Sequence, residues 1–254
     1  MNRFVLLSFD VEEFDMPLEY QFEILPEEQM KVGKAGLEAI RPILDETTTT
    51  LFTTANFACH YPKEIASLAT KHEIASHTYY HSSFSEEDLL SSRLKLEEIS
   101  GQPVTGLRMP RMRKVSMSAV KEAGYLYDSS VNPTFLPGRY NNLHLPRTVY
   151  TDEGMKRIPA SVSPFLRIPL FWLSFKNMPY ALFLSLCLQT LKKDQYICLY
   201  FHPWEFTHVT NYGLPDYTTR WCGSQLANRL YRLIGDLKKE GDFITMNQLP
   251  EILS

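Results

Sequence analysis

The chain contains little cysteine, and the cysteines that it has are far apart. Its 254 residues include only four, Cys59, Cys187, Cys198 and Cys222, with no Cys-x-x-Cys pair among them. A thiolate zinc site needs closely spaced pairs, and a disulfide framework is typical of small secreted domains rich in cysteine. The pattern argues against both classes of protein and fits a reducing compartment.

The chain also lacks an excess of charge of either sign. There are 26 Lys and Arg against 29 Asp and Glu, which gives a formal net charge of -3. Because the basic residues are interspersed with acids, the sequence predicts no basic face of the kind that neutralises nucleic-acid phosphates. We therefore expect no nucleic-acid partner.

No apolar run is long enough to cross a membrane. The longest extends from Met178 to Leu188, about half the length that a spanning helix needs, and it includes Pro179. The first apolar run, Phe4–Phe9, is too short for the hydrophobic region of a signal peptide and has no small-residue cleavage site after it. We expect a cytoplasmic protein with no membrane span.

Short apolar runs alternate with helical patterns along most of the chain. The runs predict strands at Phe4–Phe9, Leu51–Ala55, Glu73–Ser76, Val104–Met109, Tyr125–Tyr127, Tyr196–Phe201 and Phe243–Met246. Strands separated by helices in this way predict an α/β protein with parallel strands, either a (β/α) barrel or a doubly wound sheet. No linker or repeat divides the chain, so we expect a single domain over residues 1–254.

Residues 131–175 interrupt this alternation. The segment is rich in proline, and its one clear short strand lies near Arg157–Ala160. A loop-rich segment of this length inside a compact domain is more often functional than idle. We interpret it as a functional insertion.

Polar side chains recur where the predicted strands end. Asp10, His77, Arg108, Asp128 and His202 each end or directly follow a strand. In both candidate architectures the carboxyl ends of the strands meet at one edge of the sheet, and the chemistry is located there. Agreement among five strand ends indicates a metal-assisted or acid–base active site.

The histidines His77 and His81 are separated by three residues, in the sequence His77-Thr-Tyr-Tyr-His81. Imidazole is the commonest metal ligand in proteins, and this spacing puts both rings on one side of a helical turn. The alternative is a pair of ordinary surface histidines. The position of His77 at a strand end favours the metal site.

These motifs, in this order, resemble those of the NodB-like polysaccharide deacetylases (carbohydrate esterase family 4), metal-dependent hydrolases that remove N- or O-acetyl groups from sugars. Five motifs match, from Ser8-Phe-Asp10 to Leu199-Tyr-Phe-His202. The resemblance implies an irregular (β/α) barrel of seven strands and a divalent ion. Zn²⁺ is expected ahead of Co²⁺, Ni²⁺ or Mn²⁺, with His77 and His81 among its ligands.

The first motif departs from its commonest form, two adjacent aspartates, because Val11 occupies the second position. It resembles a variant in which Asp10 is the general base and the acid two residues later, here Glu12, completes the metal triad. Strand alternation supports this, since Asp10 and Glu12 would project to the same side. Glu13 and Asp15 remain alternatives for the third ligand.

The third, fourth and fifth motifs imply an acid–base pair. Arg108 in Arg108-Met-Pro110 would pair with Asp10 and keep its carboxylate ionised. His202 would be the general acid, with Asp128 as its orienting partner. The glycine that usually closes the third motif is replaced by Arg111-Met112.

Four further residues are expected on the substrate side. The resemblance implies that Leu199 lines the acetyl pocket and that a backbone N–H near Tyr79 or Tyr80 holds the oxyanion. Trp204 is a candidate wall for stacking a sugar ring, although a tryptophan after a buried strand is at least as often part of the core.

The implied function is hydrolysis of acetyl groups on a sugar or glycan precursor, with an ion-activated water attacking the acetamide carbonyl. Two alternatives remain open. The first is a hydrolase that acts on small-molecule amides with the same scaffold. The second is a carbohydrate-binding relic without catalysis, which the departures at Val11 and Arg111-Met112 motivate.

Overall fold

The computed structural model describes residues 2–249, so Met1 and residues 250–254, the ends of the predicted single domain, lie outside it. The strands are β1 (Phe4–Val11), β2 (Thr50–Thr53), β3 (Glu73–Ser76), β4 (Gly106–Leu107), β5 (Tyr127–Asp128), β6 (Phe135–Leu136), β7 (Tyr140–Asn141), β8 (Tyr150–Asp152), β9 (Met155–Arg157), β10 (Tyr196–Phe201) and β11 (Asp242–Phe243). The α-helices are α1 (Pro26–Ala39), α2 (Arg41–Glu46), α3 (Ala55–His60), α4 (Pro62–Ala69), α5 (Glu87–Ser100), α6 (Met117–Glu122), α7 (Trp172–Asn177), α8 (Tyr180–Asp194), α9 (Asp216–Thr219) and α10 (Ser224–Leu237). Short 3-10 helices lie at Met16–Tyr20, Pro110–Met112, Pro203–Phe206 and Met246–Gln248.

One curled sheet organises the chain. Its strand order is β10-β1-β2-β3-β4-β5-β9-β8, and β11 also pairs with β1. The seven strands from β10 to β9 run parallel, whereas β8 and β9 form an antiparallel hairpin at the far edge. The sheet curls strongly into a deformed half-barrel. The predicted irregular (β/α) barrel is therefore confirmed.

The strand boundaries differ most from the prediction where the strands are shortest. The predicted strand Val104–Met109 is reduced to the two residues of β4, and the next strand begins at Tyr127. Residues 131–175 hold four strands, because two antiparallel hairpins, β6–β7 and β8–β9, form there. The segment that was expected to be mostly loop is thus built around paired strands.

Alternation along β1 and β10 decides which side chains face the barrel interior. Leu6 and Cys198 pack together inside the barrel, whereas Val5 faces the larger core beneath the helices. Successive side chains of a strand point to opposite faces. Asp10 and Tyr200 lie an even number of residues after Leu6 and Cys198, so both continue the interior rows toward the carboxyl edge.

Helix α10 shows how the helices cover the sheet. It buries a stripe of residues that recur every three or four positions: Leu226, Leu230, Leu233, Ile234 and Leu237. Each side chain of this size withdrawn from water contributes about 1.5–3 kcal/mol. The stripe docks the helix, as the amphipathic pattern of the sequence predicted.

Helix α8 contains most of the apolar run that the sequence analysis interpreted as a buried helix. It buries Phe183, Cys187 and Leu191 in successive turns. Within residues 2–249, no helix combines the length and the apolar character that crossing a bilayer requires.

Two glycines let α1 lie close against the loops that follow β1 and β10. A Cβ atom at Gly33 would come within 2.5 Å of the backbone oxygen of Glu12, and one at Gly36 within 2.4 Å of that of Pro203. Neither approach leaves room for a methyl group, so only glycine fits at both positions. The helix thereby supports the two loops that carry site residues.

Candidate metal centre and acid–base pair

Three side chains bring their ligand atoms together at the carboxyl edge of the sheet. Glu12 Oε2 lies 3.1 Å from Nε2 of His77 and 3.1 Å from Nε2 of His81. All three residues are buried, and in residues 2–249 this is the one such cluster of potential metal ligands. Ligand atoms of a tetrahedral ion with bonds of about 2.0–2.1 Å lie about 3.3 Å apart, so the spacing is close to that of a metal site.

The unpaired oxygen of Glu12 provides a test of whether an ion fits. Oε2 is buried and accepts no hydrogen bond from the described residues, although two imidazole nitrogens lie near it. A buried carboxylate oxygen without a partner is costly. An ion among the three ligand atoms would remove that cost, so the residues fit a divalent metal that accepts nitrogen and oxygen ligands.

The other nitrogen of each histidine is held by a neighbour. Nδ1 of His77 lies 2.7 Å from the backbone oxygen of Arg108, and Nδ1 of His81 lies 2.6 Å from Oδ1 of Asp15. Each acceptor favours a proton on Nδ1, which leaves the lone pair of Nε2 for a metal. Asp15, an alternative ligand in the sequence analysis, therefore supports a ligand instead.

The segment from His77 to His81 is a loop, not the helical turn that its spacing suggested. Thr78 has a left-handed backbone conformation, with φ of 65°. This conformation costs a residue other than glycine about 1–3 kcal/mol. The Thr78 N–H donates to Ser76 Oγ and its hydroxyl to the Tyr80 oxygen, and both bonds offset that cost. The turn brings the two imidazole centroids to 5.5 Å.

Glu13, the other alternative ligand, is engaged with the protein. Its Oε2 accepts a hydrogen bond from Thr54 Oγ1 at 2.6 Å. Its Oε1 accepts from the backbone N–H of His81 at 3.0 Å and from Nδ2 of Asn56 at 3.3 Å. Glu13 therefore fixes the histidine loop, and Glu12 is the acid whose oxygen meets the imidazoles.

Trp204 fixes the second oxygen of Glu12. Its Nε1–H donates to Glu12 Oε1 at 3.1 Å, and its buried ring stacks on that of His202 at a centroid distance of 5.0 Å. Burial raises the pKa of Glu12, but the imidazoles of His81 and His77 beside its carboxylate outweigh that effect and hold the pKa of Glu12 well below its usual range. Trp204, a candidate stacking wall in the sequence analysis, donates its indole N–H to the candidate metal ligand Glu12.

Arg108 lies against Asp10 inside the barrel. Its Nη1–H donates to Asp10 Oδ1 at 2.6 Å, and its side chain is fully buried. Three further N–H groups donate to Ser8 and Ser129, and Cζ lies 4.0 Å from the Phe52 ring centroid. The guanidinium is fixed on several sides, so it holds the Asp10 carboxylate in one position beside the ligand atoms.

His202 is held by Glu205. The two lie 3.0 Å apart at His202 Nδ1 and Glu205 Oε1, and the same oxygen accepts the His202 backbone N–H at 2.8 Å. Nε2 of His202 lies 3.9 Å from Oδ2 of Asp10. Burial lowers the pKa of His202, but the hydrogen bond with Glu205 and the charges of Glu12 and Glu205 outweigh that effect, so the pKa of His202 is raised above its ordinary value.

A buried lysine stands behind Glu205. Nζ of Lys176 lies 2.9 Å from Glu205 Oε2 and donates to the Thr218 backbone oxygen at 2.7 Å. Burial raises the pKa of Glu205, but the charge of Lys176 outweighs it, so that pKa is lowered. Sequence reasoning assigned no role to either residue. Glu205, three residues after His202, matches the spacing of a capping box, whereas Lys176 has no local signal.

Asp128 lies elsewhere, and its expected pairing with His202 is wrong. Its carboxylate accepts hydrogen bonds from the N–H and Oγ of Ser130 at 3.0 and 2.5 Å and lies 2.8 Å from Nε of Arg157. The reason is topological. Asp128 ends β5, between β4 and β9, whereas His202 follows β10 on the other side of β1.

A cavity of about 120 Å³, which we call the central cavity, opens at the three candidate metal ligands and at Asp10 and His202. Its further walls are mostly apolar or aromatic: Met16, Met109, Met112, Leu136, Tyr140, Phe171, Trp172, Leu173, Tyr200 and Trp204, with Glu19, Arg111 and Arg139 as charged members. Six of the lining residues lie within residues 131–175. The segment that interrupts the strand alternation thus forms much of the wall.

The substrate side of the cavity differs from the expectation. Leu199 packs in the core beneath the helices, and Tyr200 lines the cavity, because only every second residue of β10 faces inward. Tyr79 and Tyr80 lie outside the cavity lining: Tyr80 is 42% exposed, and the Tyr79 hydroxyl lies beside Cys59. The oxyanion role of a backbone N–H at these tyrosines stays a prediction.

Arg111 and Met112, which replace the glycine of the third motif, both have left-handed backbones, with φ of 57° and 52°. Nη2–H of Arg111 donates to Asp15 Oδ2 at 3.1 Å, and its Nε faces Glu19 Oε1. Because Asp15 also holds His81, a chain of charged contacts connects a metal ligand to the cavity wall.

Comparisons with known proteins support the fold. No family model and no curated protein matches the chain. A protein from Mycobacterium smegmatis assigned to the polysaccharide deacetylases superposes with a TM-score of 0.65 at 21% identity, covering 99% of this chain and 90% of that one. A similarly assigned protein from Pseudomonas aeruginosa PAO1 gives 0.59 at 16% identity, with coverages of 94% and 86%. The Puue allantoinase gives 0.58 at 16% identity, with coverages of 94% and 85%.

Proposed function

We propose that this protein is a metal-dependent hydrolase that removes acetyl groups from an amino sugar or an O-acetylated sugar. One observation carries the proposal: three buried ligand atoms meet beside a carboxylate fixed by Arg108 and an imidazole fixed by Glu205. The fold that the chain shares with proteins assigned to the polysaccharide deacetylases supports it.

Glu12, His77 and His81 would hold the metal, for which we propose zinc. When bound there, the ion lowers the pKa of a water molecule and polarises the acyl carbonyl. Asp10 takes a proton from the attacking water. The Arg108 guanidinium, 2.6 Å away, holds the Asp10 carboxylate in position while it does so.

His202 supplies the second proton transfer. Its Nε2 lies 3.9 Å from Asp10 Oδ2, so acid and base face the same small volume. As the bond between carbonyl carbon and sugar nitrogen breaks, His202 donates its proton to the leaving nitrogen. Glu205 stabilises the protonated imidazole beforehand. The products of an N-acetyl substrate are acetate and a free amine.

Hydrolysis of a small-molecule amide is a second candidate. The modest volume of the central cavity, about 120 Å³, favours it, and the fold shared with an allantoinase is compatible with it. The same residues would act on either substrate. The two candidates therefore differ in what the cavity walls admit, which a substrate panel separates.

The test is acetate release by the zinc-loaded protein from N-acetylglucosamine, its oligomers, O-acetylated xylo-oligosaccharides and small cyclic amides. We expect release from at least one acetylated sugar, loss of release with a chelator, and recovery when zinc is restored. Asp10→Asn should slow release by about 10²–10⁴-fold while the protein keeps its metal. An exposed aspartate changed in the same way, Asp45→Asn, is the matched control.

Turnover of cyclic amides alone would favour the second candidate. Failure to bind any divalent metal would contradict both and leave the carbohydrate-binding relic. Such a relic has no reason to keep Arg108 and Glu205 fixed on Asp10 and His202.

A further inference from the structure

A tight turn at residues 163–168 carries two adjacent apolar side chains that are almost fully exposed to solvent. Phe165 is 85% exposed and Leu166 is 79% exposed, the highest values among the large apolar residues of the described chain. Single exposed apolar residues are ordinary on protein surfaces, whereas adjoining ones mark interaction sites. Neither residue lines the central cavity, so the acid–base chemistry derived above does not use them.

The turn is held in one conformation by its own hydrogen bonds. The N–H of Ser163 donates to the Ile168 oxygen at 2.8 Å, and the N–H of Arg167 donates to the Ser163 oxygen at 3.2 Å. The N–H of Ile168 donates to Ser163 Oγ at 3.0 Å. Arg167 has a left-handed backbone, with φ of 51°, a conformation that persists only where surrounding contacts hold it. The fold therefore presents the two apolar side chains on a fixed support.

Three further hydrogen bonds join this turn to the β6–β7 hairpin and to the segment after it. Thr134 Oγ1 donates to the Arg167 oxygen at 2.7 Å. Nη1–H of Arg167 donates to the backbone oxygens of Pro133 at 3.1 Å and Leu145 at 2.8 Å. The joined segments expose two more large apolar residues, 54% and 47% accessible. We call the four exposed side chains the apolar surface: Phe135, Leu143, Phe165 and Leu166.

The segments that carry the apolar surface contain basic residues and no acidic ones. None of the 29 Asp and Glu of the chain lies in residues 131–149 or 161–175, whereas Arg139, Arg147 and Arg167 do. Arg139 and Arg147 are paired with acids from elsewhere in the chain. Arg167 has only backbone oxygens as partners within residues 2–249, so its positive charge is not neutralised by a carboxylate. The surface is therefore complementary to an anionic partner with an apolar interior.

A lipid bilayer with anionic headgroups has both properties. Protruding aromatic and aliphatic side chains can enter its apolar region without a complementary pocket, and basic residues at their base contact lipid phosphates. The β6–β7 hairpin also contributes Leu136 and Tyr140 to the central cavity, while Phe135 of the same hairpin belongs to the apolar surface. The apolar surface thus adjoins the wall of the central cavity.

We propose that the apolar surface docks the protein on an anionic membrane, with Phe165 and Leu166 inserted below the headgroups. Docking in this way brings the central cavity close to the membrane surface. The inference goes beyond the proposed function and does not depend on it, because membrane binding is measured without substrate.

The first test is sedimentation of the full chain with vesicles of phosphatidylcholine, alone or mixed with phosphatidylglycerol. We expect binding to the mixed vesicles that weakens with added salt. Phe165→Ser combined with Leu166→Ser should weaken it by about tenfold or more, because two apolar side chains no longer leave water. The matched control is Leu25→Ser combined with Leu126→Ser, at positions 72% and 67% exposed outside the apolar surface, and it should keep the binding.

A second variant reports where the turn lies in the bilayer. With mixed vesicles, Phe165→Trp should add tryptophan fluorescence that shifts to shorter wavelength and is quenched by brominated lipid chains. Leu126→Trp, the control for an exposed position elsewhere, should show neither change relative to the unmodified protein.

Three results would overturn the docking surface. These are no binding to the mixed vesicles, binding that the Phe165/Leu166 variant keeps, and a dimer in solution that this variant dissolves, which would make a second copy of the chain the occupant.

The docking proposal and the proposed function fail separately. Phe165 and Leu166 lie outside the central cavity, so their variant should release acetate from soluble sugars at the unmodified rate. Acetate release without vesicle binding would contradict the docking surface alone. Vesicle binding without acetate release from any sugar would contradict the proposed function and leave the docking surface standing.

Discussion

The two halves of the central site are held in place by different means. On the metal side, each ligand is fixed by one hydrogen bond, to a backbone oxygen, a carboxylate or an indole N–H. On the acid side, His202 lies against the buried ion pair of Glu205 and Lys176. Hydrogen bonds therefore fix the positions of the metal ligands, whereas the charge of the ion pair sets the pKa of His202. Damage to the first should appear as lost metal affinity, and damage to the second as a changed pH dependence.

Removing a metal ligand should cause the largest loss of zinc affinity and of activity. We expect Glu12→Ala and His77→Ala each to weaken metal binding by more than about 100-fold, the upper range for loss of an outer-shell partner. Acetate release should fall to background. Metal content after dialysis and zinc titration measure the change, and Glu23→Ala, at an exposed position, is the control. Undiminished zinc affinity in either ligand variant would refute the assigned triad.

Changing the base should separate chemistry from metal binding. Asp10→Asn keeps the shape of the side chain and removes its charge, so the rate should fall by about 10²–10⁴-fold. Zinc affinity should change little, because Asp10 is not among the three ligand atoms. A variant that loses its zinc together with its activity would place Asp10 in the metal site.

Weakening the hydrogen bond between Asp15 and His81 should cause a smaller loss of zinc affinity than removing a ligand. Asp15→Asn weakens the acceptor at Nδ1 of His81, and we expect zinc affinity to fall by about 10–100-fold. The alkaline limit of activity at saturating zinc should stay where it is, because His202 is untouched. Glu23→Gln is the matched exposed control. A shift in that limit without a loss of zinc affinity would mean that the two halves are not separate.

Changing the support of His202 should shift the pH dependence of activity and leave zinc affinity unchanged. His202 must be protonated to act as an acid, and Glu205 raises its pKa, so activity extends to higher pH while Glu205 is charged. Glu205→Gln lowers that pKa, and the alkaline limb of the kcat profile should move to lower pH while zinc affinity is retained. Combining it with Lys176→Met avoids leaving a buried ammonium without its partner. An unmoved alkaline limb would contradict the assignment of His202.

The smallest effect is expected at Asp128. Asp128→Asn removes a charge beside Arg157, far from His202, so the alkaline limb should stay in place. The kcat profile against pH measures this alongside the Glu205→Gln variant. A shift as large as the one produced by Glu205→Gln would restore the partnership that the motif resemblance implied.

The features that could be predicted from the sequence depend on residues that are close together in it. The motif resemblance, supported by alternation along one strand, selected Glu12 beside Asp10. Parallel strands ending in polar residues predicted an α/β protein and the edge that carries the site, and the resemblance added the barrel. The His77–His81 spacing led to the ligand pair, although the loop is not helical.

The features that were missed depend mostly on contacts between residues that are far apart in the sequence. Lys176 reaches Glu205 only because α7 packs beside the turn after β10, and Asp128 is separated from His202 because β5 and β10 lie far apart in the sheet. Leu199 was expected in the acetyl pocket from the motif resemblance, although strand alternation in β10 turns Tyr200 toward the cavity and Leu199 away from it. A contact such as that of Lys176 with Glu205 has no local signal in the sequence. The position of Leu199, in contrast, could have been predicted from the alternation of its own strand.

The most direct test of the central claim is a crystal of the protein soaked with zinc, with data collected on both sides of the zinc absorption edge. We expect one strong anomalous peak, within bonding distance of Glu12 Oε2 and of Nε2 of His77 and His81. A peak bound by Glu13 in place of Glu12, or no peak between the two histidines, would contradict the account.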